Sequence, residues 1–153
     1  MKKLTTILLS LALLFLTISN GQTATAATIQ NEDGCYWETV IQDVPLLQTA
    51  TTASTTKTIT KTKTSYYTNS NGVVLWSVSV TGTFSYNGST SKCTSCSHKA
   101  TAPGASWSIK SSSSSRSGNS ATANAIATHY NGIISKDYSK SVTIKCSKDG
   151  IIS

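Results

Sequence analysis

Groups able to do acid–base chemistry are scarce in this chain. Its 153 residues include only six acidic side chains and two histidines. Four of the acids, Glu32, Asp33, Glu38 and Asp43, crowd one short N-terminal stretch. Hydrolysis by paired carboxylates, or by a nucleophile with its base, needs a richer supply. His129, Asp137 and one of the many serines can be written as a triad, but no G-x-S-x-G elbow accompanies them. A phosphate-binding loop is missing as well. Arg116 is the single arginine, so the clustered arginines and stacking aromatics of a single-strand nucleic-acid binder are absent. These absences point away from an enzyme, a cofactor and a nucleic-acid partner.

Long apolar runs are lacking too, with one exception. Lys2 and Lys3 precede an apolar stretch from Ile7 to Ile18, and the small-residue segment Ala24-Thr25-Ala26-Ala27 follows. This is the pattern of a secretory signal peptide over residues 1–26, cut after Ala26 or alternatively after Ala27. A run of about 12 residues spans about 18 Å as a helix, short of the roughly 30 Å hydrocarbon core, so a membrane anchor fits less well. No cysteine stands at the cleavage region to carry a lipid, and no second apolar run appears near Ile151 and Ile152. The expectation is a protein that is secreted, extracellular, and held at the cell surface, if at all, without a covalent link or a membrane span.

What remains is about 127 residues, enough for one domain with a modest core. Residues 27–50 read as an acidic N-terminal segment and residues 51–153 as the folded domain. From Lys57 onward the chain is basic, with only Asp137 and Asp149 against its lysines and Arg116. Net positive charge serves solubility first. It also attracts anionic polymers such as a teichoic acid or an acidic glycan.

Four cysteines in an exported chain of this size read as two disulfides, each stabilising by about 2 to 4 kcal/mol. Cys93-Thr94-Ser95-Cys96 has the spacing of redox motifs, but it follows a turn inside a β region and lacks the helix N-terminus that lowers a thiol pKa. His98 lies one residue too far along for haem attachment. Cys93, Cys96 and His98, completed by His129 or Cys146, would offer zinc its sulfur and nitrogen ligands. The even cysteine count, secretion and opposite faces for Cys93 and Cys96 weigh against a metal.

Period-two alternation dominates the pattern. Val74, Trp76, Val78, Val80, Phe84 and Tyr86 alternate with serines and threonines, which makes Val73 to Tyr86 a strand, bent or bulged at Gly82. Asn87-Gly88 predicts a two-residue type I′ turn, pairing Tyr86 with Ser89, Phe84 with Ser91 and Gly82 with Cys93. Upstream, Thr55 to Tyr67 is β-branched and reads as a strand whose lysines, Lys57, Lys61 and Lys63, form an outer face that discourages edge pairing. Asn69 to Gly72 is the loop between these two strands. Trp107 and Ile109 mark a short strand, and Ser111 to Gly118 a loop or a solvated strand end. Ala121 to Thr128 alternates as a strand, Asn131-Gly132 is a second hairpin turn, and Val142, Ile144 and Cys146 share a face of the last strand. Cys93 and Cys146 both fall on buried faces. Of the three pairings open to four cysteines, the expectation is Cys93 with Cys146 and Cys35 with Cys96.

About seven strands at short intervals predict an all-β, two-sheet antiparallel sandwich, immunoglobulin-like and stapled by disulfides, with a barrel as the alternative. The segment from Trp76 to Cys93, with the Ser/Thr-rich tail ending at Cys146 and Gly150, resembles small uncharacterised secreted proteins of Gram-positive bacteria over roughly the C-terminal two thirds of the chain. The resemblance implies export and a sandwich and brings no activity. The functional expectation is a non-catalytic binding or surface-associated module that contacts wall polymer, glycan or an extracellular protein; a small cationic antimicrobial or toxin-like effector is the alternative. Tyr66, Tyr67, Tyr130 and Tyr138, near strand ends, are candidate ligand contacts through their amphipathic rings, as are Lys57, Lys61 and Lys63.

Overall fold

The computed structural model describes residues 23–24, 34–44 and 55–153. The expected signal peptide, apart from Thr23 and Ala24, lies outside the described residues, as do Glu32 and Asp33. The described chain is all-β: β1 (Thr23–Ala24), β2 (Tyr36–Asp43), β3 (Lys57–Thr68), β4 (Val74–Tyr86), β5 (Ser91–Thr101), β6 (Trp107–Ser117), β7 (Ser120–Asn131) and β8 (Ile134–Lys145). One sheet runs β1-β2-β3-β4-β5 and the other β6-β7-β8, every neighbouring pair antiparallel. Among the described residues no helix is long and apolar enough to cross a membrane.

Alternation along β4 builds the core. Trp76, Val78, Val80 and Phe84 are fully buried on one face, and the serines and threonines between them face out. Opposite lies β7, whose Ala121, Ala123, Ala125 and Ala127 are also buried. Small side chains against large ones let the two strands approach within 8 Å between Cα atoms, inside the usual spacing of about 10 Å between stacked sheets. Gly82 completes the fit: a Cβ there would sit 2.6 Å from the Phe84 ring and 3.2 Å from Cγ2 of Ile144. β4 runs as one continuous strand through Gly82, and the register with β5 shifts beside it, between Thr83 and Phe84.

Several expectations change. Within each sheet the strands follow sequence order, and the chain passes between the sheets only from β5 to β6. An immunoglobulin-like fold instead exchanges strands by Greek-key connections. Two antiparallel sheets therefore stand and the immunoglobulin order does not. The sheet also begins before residue 51, since β2 comes from the acidic segment. The serine run belongs to β6, whose two-residue turn to β7 is Gly118-Asn119, between the paired Ser117 and Ser120.

The β4–β5 loop holds four residues, because Oδ1 of Asn87 accepts from the backbone N–H of Ser89 (3.0 Å) and of Thr90 (2.9 Å) and closes a wider turn. Tyr86 thus pairs with Ser91, Phe84 with Cys93 and, past a bulge at Thr94, Gly82 with Cys96. Cross-strand partners share a face, so the bulge brings Cys93 and Cys96 to the same inner side. The β7–β8 turn is Gly132-Ile133, one residue later than expected.

The lysines of β3 are inverted relative to expectation. Lys57, Lys61 and Lys63 pair with Tyr86, Gly82 and Val80, and Tyr67 pairs with Trp76. They therefore occupy the inner face. The outer face carries threonine hydroxyls in cross-strand pairs, Thr60 with Thr83 (3.0 Å) and Thr62 with Thr81 (2.7 Å).

No disulfide is present among the described residues. Cys35 adjoins Tyr36, which pairs with Thr68 at the Val74 level, whereas Cys96 lies opposite Gly82. That step along β4 is about 26 Å at roughly 3.3 Å per residue, and a bridge needs Cα atoms within about 7 Å. The Cys35–Cys96 pairing is excluded by this register. Cys93 and Cys146, in contrast, share one pole: their backbone N–H groups donate to the carbonyls of Gly118 (2.8 Å) and Asn119 (3.1 Å), consecutive residues of one turn.

Candidate functional site

At the opposite pole the strand ends bring six rings together. Trp37 lies near the start of β2, Tyr67 near the end of β3, Trp76 near the start of β4, Trp107 at the start of β6, His129 near the end of β7 and Tyr138 in β8. Inner-face register aligns them, since Trp37 pairs with Tyr67, Tyr67 with Trp76, and Trp107 with His129. Trp37 meets Tyr67 and Trp76 at 5.0 Å between centroids. Trp107 stacks on His129 at 4.7 Å and tilts against Tyr138 at 4.9 Å. Tyr67 bridges the sheets, 5.7 Å from Trp107 and 5.8 Å from Tyr138.

Gly104 fixes the entry of Trp107. Its N–H donates to the Leu75 carbonyl at 3.1 Å, and its own carbonyl accepts from Trp107 N–H at 2.9 Å. A Cβ at Gly104 would lie 2.8 Å from the Trp107 ring. The connection between the sheets therefore has no room for a side chain where it positions this ring.

Between these rings opens a cleft of about 500 Å³, with Tyr67, Leu75, Trp107, His129, Lys136 and Tyr138 in its wall. Its size is that of an ordinary small-ligand pocket. Apolar residues stand exposed on loops and strand ends at this pole: Val73, Tyr130, Ile133 at 104% and Ile134 at 69% relative exposure. Lys136 Nζ lies 5.2 Å from the centre of the Tyr138 ring, a cation–π contact. Two buried polar atoms near the rings, Nε1 of Trp76 and Oγ1 of Thr68, have no hydrogen-bond partner among the described residues.

Of the tyrosines singled out from sequence, Tyr67 is buried in the cleft wall and Tyr138 half-buried beside it. Tyr130 is exposed nearby and accepts a long hydrogen bond from Ser108 Oγ at 3.4 Å. Tyr66 points to the outer face, paired with Glu38 and Ser77, away from the cleft. Lys57 is exposed, Lys61 pairs with Asp43, and Lys63 is half-buried with its pKa lowered by desolvation. Sequence reasoning missed Trp37 and Lys136 as site residues, weighed His129 only for zinc or a triad, and read Trp107 only as a strand marker. Strand parity was the available signal, but it joins these residues only once the strand order is known.

The thiols are not prepared for redox chemistry. Burial, and then the neighbouring Cys96, push the Cys93 pKa up against the opposing influence of a backbone hydrogen bond at Ser95 and the charge of Arg116. Burial does the same at Cys146. A thiolate is the reactive form, so neither has the lowered pKa of a catalytic redox thiol. Among the described residues no three His, Cys, Asp or Glu side chains are grouped to hold a metal. His98 bonds Ser114 at 3.0 Å through Nδ1, and His129 is at the other pole, so the zinc set weighed from sequence is not assembled. Compared with known proteins, the chain matches no family model, no curated protein and no solved structure.

Proposed function

We propose that the protein is a secreted, non-catalytic binding module of a Gram-positive cell surface that holds a wall glycan in its aromatic cleft. The observation that carries this reading is the cleft lined by Tyr67, Trp107 and Tyr138: ring surfaces in an open, mainly apolar recess suit the apolar faces of a sugar ring. Export supplies the compartment, and in this reading cleavage after Ala26 removes β1 and leaves β2 as the sheet edge. Oxidation after export joins Cys93 to Cys146.

The test is titration of the purified secreted protein with neutral oligosaccharides released from walls, followed by tryptophan fluorescence. Trp107→Ala and Tyr138→Ala each weaken binding roughly tenfold, the equivalent of about 1.4 kcal/mol per stacking ring. Unchanged affinity in both variants removes the cleft from the reading.

A second reading, a small membrane-active cationic effector, draws on Ile133 and Ile134, both exposed, close in the chain to Lys136. Leakage from anionic lipid vesicles, abolished by Ile133→Ser with Ile134→Ser and accompanied by no glycan binding, would replace the first reading with this one.

A further inference from the structure

Lysines on the inner face of a sandwich are out of place unless something meets them. In β3, Lys57, Lys61 and Lys63 share the face of Ile59 and Tyr67. In β8, Lys136 and Lys140 share the face of Tyr138, Val142 and Ile144, since these pair with His129, Ala125, Ala127, Ala123 and Ala121. Strand parity thus puts five lysines on the inward-facing side along one flank, Lys61, Lys63 and Lys140 half-buried and Lys57 and Lys136 exposed. Among the described residues the one acid on that face is Asp43, already paired with Lys61. Glu38 lies on the outer face, and Asp137, also outward, is held by Lys110 (2.5 Å) and Thr128 (2.7 Å).

The topology keeps this flank open. β8 is the last strand of the smaller sheet and packs over β3, while no described residue of β8 comes within 8 Å of β2 between Cα atoms. The larger sheet therefore overhangs the smaller one. Lys140 reaches across the gap, its Nζ 4.2 Å from the centre of the Trp37 ring. Lys63 and Lys140 have no ion pair among the described residues, and partial burial lowers the pKa of each. Withdrawing an unpaired cation from water costs free energy that a bound anion would offset.

We infer that the flank between β3 and β8 is a binding groove for a linear polyanion with a phosphodiester in each repeat, gripped by Lys63 and Lys140 on facing sheets. The inference rests on the binding-module reading and specifies its polymer. Lys61 and Lys63, at successive inward positions of β3, stand about 6.6 Å apart along the strand, so an extended polymer lying parallel to β3 meets both. Lysine ammonium groups bind phosphate as point charges and, unlike the planar arginine fork, do not demand a bidentate approach, which suits a phosphodiester with one charge per repeat. The sole arginine, Arg116, is committed on the far flank, donating to the Cys93 carbonyl at 2.9 Å. Lys136 and Tyr138 border both the groove and the cleft, so a sugar substituent on the polymer can enter the cleft while its backbone follows the lysines.

The test uses the secreted protein with three probes: purified poly(glycerol phosphate), a neutral wall oligosaccharide and single-stranded DNA, each at several salt concentrations. Lys63→Gln with Lys140→Gln weakens poly(glycerol phosphate) binding at least about tenfold and lowers the slope of log affinity against log salt by about 1.4, at roughly 0.7 per lost phosphate contact. The neutral oligosaccharide binds as before. Lys92→Gln with Lys99→Gln, which removes the same charge from the outer face of β5, leaves the polyanion affinity within twofold. Equal losses in both double variants mean diffuse attraction and overturn the groove, as does failure to bind the polyanion at all. DNA bound as tightly as poly(glycerol phosphate) overturns the polymer class. Trp107→Ala separates the two readings: loss of neutral-sugar binding with polyanion binding kept supports both, whereas neutral-sugar binding without polyanion binding leaves the cleft and removes the groove.

Discussion

The two flanks of the sandwich use the same alternating strands to opposite ends. On the β5–β6 flank the polar groups satisfy one another: Arg116 donates to the Cys93 carbonyl, His98 meets Ser114, and Cys93 N–H donates to Gly118. The β3–β8 flank leaves Lys63 and Lys140 without acids and ends in an open cleft of rings. A sealed flank holds a sheet pair together, and an open flank of unpaired cations and half-exposed rings keeps its interactions for something else. The proposed binding surface rests on this contrast.

Breaking the sealed side has the largest expected effect. Phe84→Ala, which empties the site between Gly82 and Cys93, costs about 3 to 5 kcal/mol, measured by urea unfolding. Next comes the bridge expected after oxidation. Cys93→Ser lowers stability by about 2 to 4 kcal/mol relative to the oxidised protein, and non-reducing peptide maps of the secreted protein show Cys93 joined to Cys146. A map that joins Cys93 to Cys96 instead would move the closure into the bulge.

The two flanks also respond to alkali with opposite signs. The reduced thiols of Cys93 and Cys146 have pKa values raised above the ordinary 9.0. The folded state holds their protons more tightly than the unfolded one. Their contribution is complete below pH 9 and is lost as pH rises through the raised values. Lys63 and Lys140 have pKa values lowered from 10.5. Here the unfolded state holds the proton more tightly, so stability rises between the lowered values and pH 10.5. Unfolding midpoints of the reduced protein between pH 8 and 11 therefore fall less steeply than those of Lys63→Gln with Lys140→Gln. The smallest effect follows at neutral pH: Lys63→Met gains no more than a few tenths of a kcal/mol, since the ammonium is only partly withdrawn from water, while polyanion binding drops.

The sequence made β4 legible because its large apolar side chains fall on one parity and its hydroxyls on the other. It also placed Cys93 and Cys146 on buried faces. β3 was harder: threonine suits either face, and lysine drew the assignment outward, although Ile59 and Tyr67 share the parity of the lysines and pointed inward. β2 escaped notice because Val40 and Ile41 fall on opposite faces and blur the alternation. The register of β5 shifted because the Asn87 side chain closes a longer loop and Thr94 adds a bulge. For the cleft, Tyr67 and Tyr138 were legible as strand-end rings. Trp37, Trp107 and His129 were not, since only the order of strands in two sheets brings such distant segments to one pole.

Amide hydrogen exchange of the secreted protein, free and saturated with isolated wall polymer, tests the account most directly. Protection confined to β2, β3, β8 and the start of β6 is the predicted result. Protection centred on the β5–β6 flank or on the threonine-lined outer face would contradict it.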